Sequence, residues 1–139
     1  MIHKVAPRPV MILDFGRSRI RLCKKTLRFI GYPEYILLLV SPEERAIAFA
    51  RSDSSDLRAY RIQWNSFYIK RQHIEVQSRC LMRSLLELCA NCQGRHTYRI
   101  CGDCIPGGEI MRFDLENPIM SSKGKGYEND EIQDVHINH

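Results

Sequence analysis

Alternation of arginine with apolar residues most constrains what this chain can form. Arg17, Arg19 and Arg21 alternate with Ser18, Ile20 and Leu22. Successive side chains of an extended strand point to opposite faces, so this spacing places three guanidinium groups on one face and the apolar side chains on the other. A short helix is expected next, from about Lys24 to Ile30, with Leu27 and Ile30 or Phe29 turned inward. Gly31 is placed to end it, and Tyr32-Pro33 bars its continuation. Tyr35 to Val40 is the longest uninterrupted apolar run. Its length suits a strand buried on both faces. Ser41-Pro42-Glu43-Glu44 has the proline preference of a type I turn, and Ala46 to Ala50 returns as the next strand. Farther on, Tyr60, Ile62 and Trp64 share one strand face.

The same order of elements recurs toward the C-terminus. Ile74 and Val76 end a strand, and Ser78 is placed to cap a helix running to about Ala90. Leu81, Leu85, Leu88 and Cys89 fall on one face of that helix, and Asn91 suits a left-handed terminator. Thr97 to Ile100 and Ile110 to Asp114 read as two strands joined by a hairpin containing Pro106-Gly107-Gly108. The expected fold class is α+β: a mainly antiparallel sheet with two helices, built from two strand-helix-strand-strand units.

The chain has 139 residues, which suits one domain of ordinary size. We place a single α+β domain over 1–120 and a flexible acidic tail over 121–139. That tail has few sizeable apolar side chains to offset its ordering entropy. Tyr35 to Val40 is far shorter than the ~20 residues of a membrane helix. Met1 to Pro9 carries Lys4, Arg8 and two prolines but no apolar core of signal-peptide length. These features lead us to expect a soluble, cytoplasmic protein with no membrane partner. Its six cysteines are then read as thiols or metal ligands before disulfides.

The stretch IRLCKKTLRFIGYPEYILLLVSPEERAIAF, followed at a distance by TYRI and MRFDL, resembles an uncharacterised family of small proteins from anaerobic gut bacteria and their mobile elements. The resemblance covers about Ile20 to Asp114 and implies a bacterial cytosolic setting associated with mobile DNA. The family has no assigned activity, so it carries no site residues over to this chain.

Four cysteines fall in CANCQGRHTYRICGDC, where Cys89 and Cys92 form one C-x-x-C pair and Cys101 and Cys104 another. Two such pairs meeting at one ion would close a tetrahedral shell, giving a structural zinc site. The spacer is short for a zinc module. Extended as one strand, it holds the pairs apart; reversed near Gly94-Arg95, it lets them meet. The alternative is unligated thiols, with Cys89 packed as a small hydrophobe on its helix. Neither pair stands at a helix N-terminus, as a thioredoxin-like dithiol requires. Cys23 and Cys80 read as packing residues.

The second constellation is basic. Residues 1–99 carry a formal charge of +10, which an acidic C-terminal segment reduces to the total of +5. Arg17, Arg19, Arg21, Lys24, Lys25 and Arg28 are the candidate nucleic-acid contacts, with Lys70, Arg71 and His73 extending the patch and Tyr68 or Trp64 as stacking platforms. A solvated strand face of ordinary polarity is the plainer account of the same arginines. Phosphate-loop, dinucleotide, nucleophile-elbow and zinc-protease motifs are all missing. These observations lead to the expectation of a non-enzymatic, nucleic-acid-associated or regulatory protein. The rival is a protein-binding module or inhibitor, homodimeric or otherwise oligomeric, acting on another protein.

Overall fold

The structure, a computed structural model, describes residues 7–64, 73–89 and 91–121. Among these residues the fold is α+β, with ten strands in two antiparallel sheets. The chain begins with β1 (Val10–Asp14) and β2 (Arg19–Cys23), then α1 (Lys24–Leu27), which tightens into a 3-10 turn over Arg28–Ile30. Gly31 ends that turn at φ 79°, in the left-handed region expected of it. The hairpin of β3 (Tyr35–Ser41) and β4 (Ala46–Ser52) follows, closed over Pro42 to Arg45 by the Arg45 N–H donating to the Pro42 carbonyl. The second half holds β5 (Tyr60–Arg61), β6 (His73–Gln77), α2 (Arg79–Leu88), β7 (Thr97–Cys101), β8 (Asp103–Cys104), β9 (Ile110–Asp114) and β10 (Ile119–Met120).

One sheet has the order β10-β7-β1-β2-β6 and the other β5-β3-β4-β9-β8. Their inner faces enclose one continuous core. Met11, Leu13, Ile20, Leu22 and Ile100 enter it from the first sheet, and Ile36, Ile47, Phe49, Met111 and Phe113 from the second. Phe49 and Phe113 meet edge to face, with ring centroids 5.9 Å apart. Helix α2 adds Met82 and Leu85 to this core, and its N-terminus is capped as expected, the Ser78 hydroxyl accepting from the Leu81 N–H. No helix among the described residues is long and apolar enough to cross a membrane.

Three sequence expectations need correction. Strands β7 and β9 do not form a hairpin, because they lie in different sheets; Pro106-Gly107-Gly108 belongs to the turn between β8 and β9. The chain changes sheets at Gly102, where a Cβ would collide with the Arg112 carbonyl and the Phe113 ring. Second, β3 is not buried on both faces. Ile36 points into the core, whereas Leu39, on the opposite face, is 41% exposed. Third, Tyr60, Ile62 and Trp64 do not share one strand, since pairing stops at Arg61. The two strand-helix-strand-strand units repeat in order but not in pairing: β3 pairs with β4, whereas β7 pairs with β1 and β10.

Candidate anion-binding site

The outer face of the first sheet is built around Ile12. Register places Arg21 of β2 opposite it on one side and Arg99 of β7 on the other. Directly paired residues share a face, so two arginines flank one apolar side chain on the floor of a cavity of about 230 Å³. The cavity is also lined by Arg8, Lys25, His73, Val10 and Phe29.

Local hydrogen bonds shape its walls. The Thr26 hydroxyl donates to the Val10 carbonyl at 2.8 Å and accepts from the Val10 N–H at 3.2 Å, which ties α1 across the end of β1. Arg8 stands on another side, its Nε donating to the Gly102 carbonyl at 3.0 Å and its guanidinium 3.3 Å from Asp103.

Neighbouring arginines on β2 have unlike surroundings. Arg19 lies 3.0 Å from Asp14 and 2.8 Å from Glu75, so carboxylates already hold its charge. Asp14 is buried, and it also accepts from the Arg17 N–H and the Thr97 hydroxyl. Glu75 in turn lies 3.1 Å from Nε2 of the buried His73. Arg21 makes no ion pair within 4 Å among the described residues, although Glu75 stands opposite it in the β2–β6 register; its Nε is buried and finds no hydrogen-bond partner there. Burial, and then the positive charge of Arg19, lower the Arg21 pKa from its ordinary value, with Glu75 and Asp14 acting in the opposite direction. A guanidinium nevertheless stays charged in a protein, so a partly desolvated cation lines the cavity.

The six candidate nucleic-acid contacts therefore separate. Arg21 and Lys25 line the cavity. Arg19 belongs to the Asp14–Glu75 network. Arg17 lies in the turn before β2, not on the strand, with a largely exposed side chain 3.5 Å from Asp14. Lys24 is half-buried on α1, and Arg28 is exposed in the 3-10 turn that follows. Lys70, Arg71 and Tyr68 lie outside the described residues. Trp64 is half-buried, donates its indole N–H to the Pro33 carbonyl at 2.9 Å and meets Tyr32 edge to face. Arg8 and Arg99 were not anticipated. The alternation Thr97-Tyr98-Arg99-Ile100-Cys101 carries the signal for an outward Arg99, but its approach to Arg21 depends on β1 lying between β7 and β2.

The clustered cysteines do not assemble as one ligand set. Cys89 and Cys92 are joined by a disulfide just beyond α2, with Cα atoms 5.6 Å apart. The chain does turn at Gly94-Arg95, the His96 N–H donating to the Gln93 carbonyl. Strand β7 then carries it about 13 Å away by Cys101, at the rise of extended backbone. Cys101 lies on the outer face opposite Val10, while Cys104, on β8, donates its thiol to the Phe29 carbonyl. Among the described residues no group of three or more His, Cys, Asp and Glu side chains converges as a metal site.

No family model, curated protein or solved structure matches the chain.

Proposed function

We propose that this is a non-enzymatic, nucleic-acid-associated protein that engages backbone phosphates through Arg21 and Arg99, with Arg8 and Lys25 at the same cavity. The observation that carries this reading is the buried Nε of Arg21, without a hydrogen-bond partner among the described residues, on a side chain that lines the cavity beside the carboxylate-paired Arg19. An unsatisfied buried donor costs about 1–3 kcal/mol, so the protein neighbours of Arg21 leave part of its hydrogen-bonding capacity unmet. Guanidinium-phosphate bonds, which are charge-assisted, can draw on that capacity. The +10 charge of residues 1–99 would attract a polyanion over longer range. The resemblance to small proteins of bacterial mobile elements is consistent with this role in the bacterial cytosol.

The test is fluorescence anisotropy with single- and double-stranded DNA and with RNA, over a series of salt concentrations. Affinity is expected to fall steadily as salt rises, and Arg21→Ala to weaken binding about tenfold, equivalent to ~1.4 kcal/mol. Absence of binding even at low salt would exclude the proposal, as would an Arg21→Ala protein that is folded by circular dichroism and binds like wild type.

A protein-binding role is the second reading, favoured by exposed apolar side chains elsewhere on both sheets. Leu39 is 41% exposed on the outer face of β3, and Ile119 and Met120 are 59% and 56% exposed on the edge strand β10. Copurified nucleic acid that is lost in high salt favours the first role. A clean preparation carrying a stoichiometric protein partner favours the second.

A further inference from the structure

The cavity differs from an open basic surface in three respects that bear on which phosphate it accepts. Its volume, about 230 Å³, lies below the ~300–1,000 Å³ typical of small-molecule sites, so it accommodates one phosphate with part of its sugar, not a length of strand. Arg21 and Arg99 each stand one strand from Ile12, so their backbones are about 10 Å apart and both side chains can reach a group seated over Ile12. The sides are built up by α1, held through the Thr26–Val10 hydrogen bonds, and by Arg8, held to Gly102 and Asp103. A strand end can enter such a recess directly, whereas an internal phosphate has to bring the chain on both of its sides past these walls.

Resting on the nucleic-acid reading above, we infer that this cavity takes the terminal phosphomonoester of a nucleic-acid strand. A monoester carries about 1.5–2 negative charges at neutral pH and three strong acceptor oxygens, against the single charge of an internal diester. That extra charge and the additional acceptor suit a cavity lined by two arginines from the strands on either side of β1, and by Lys25. Val10 and Ile12 on the floor and Phe29 in the 3-10 turn after α1 offer apolar surface to the carbons of the terminal sugar.

The experiment uses the full chain and three oligonucleotides of one sequence, carrying a 5′-phosphate, a 3′-phosphate or hydroxyls at both ends. Each competes with an internally labelled strand in an anisotropy assay. At least one phosphorylated end is expected to bind about tenfold more tightly than the hydroxyl strand. Arg21→Lys keeps the charge but loses the guanidinium fork, and should abolish most of that preference. Arg58→Ala, on an exposed loop, should retain it. The comparison of ends on unmodified protein does not depend on how any variant folds. Equal affinity for all three strands, with salt dependence intact, would overturn end recognition and leave backbone binding standing. No binding by any strand would overturn both. A free nucleoside monophosphate that competes as well as the phosphorylated strand would assign the cavity to mononucleotides and overturn the strand-end inference.

Discussion

Arg19 and Arg21 lie two residues apart on one face of β2, yet one closes an ion network and the other faces a cavity. Alternation in the sequence puts both on the same face. It does not reveal that Asp14 and Glu75 neutralise Arg19, because Glu75 lies 56 residues away and reaches it only when β6 pairs with β2. Asp14 holds this network together from inside the protein, at 3% exposure. Asp14→Asn keeps the shape but removes the charge facing Arg19 and Arg17. Breaking a buried pair from one side costs several kcal/mol when the other charge is left alone; with Arg19 partly solvated and still paired to Glu75, the expected loss is about 2 kcal/mol in urea denaturation. A loss below ~0.5 kcal/mol would place this network among surface ion pairs of little consequence.

At the scale of elements, local signals were sufficient where the partners are local. Ser78 caps α2 because an extended residue with a hydroxyl acceptor satisfies an N–H three positions ahead, and both groups are visible in sequence. Ser78→Ala is expected to cost about 1 kcal/mol of stability, while Ser78→Asp should retain most of it; thermal unfolding of the two variants checks this. Gly31 was legible for the same reason. The inward face of α2 was less so: Met82 is buried, whereas Leu81 is only half-buried. Periodicity gives the width of an apolar stripe, but its rotation depends on what α2 packs against. The assignment of β7 and β9 to one hairpin failed because Gly102 passes the chain between sheets, and its close neighbours, Arg112 and Phe113, are remote in sequence.

For the molecule as a whole, the joining of both sheets around one core governs stability. Phe49 is fully buried beside Phe113 and belongs to the same cluster as Leu13 and Ile20 of the other sheet. Phe49→Ala should therefore lower the global unfolding free energy by about 3–5 kcal/mol, not loosen the second sheet alone. Urea unfolding followed by Trp64 fluorescence and by far-ultraviolet circular dichroism should give one coincident transition in wild type. Two separated transitions would show that the sheets are energetically independent. The sequence by itself determined the kinds and order of most elements, the stop at Gly31, the cap at Ser78 and the excess of positive charge. Those features depend on residues a few positions apart, or on composition alone. Tertiary structure decided how the strands divide between two sheets, which arginine is neutralised and which lines a cavity, and that β7 separates the two cysteine pairs. Each of these depends on long-range register, such as Ile12 between Arg21 and Arg99, for which spacing along the chain carries no signal.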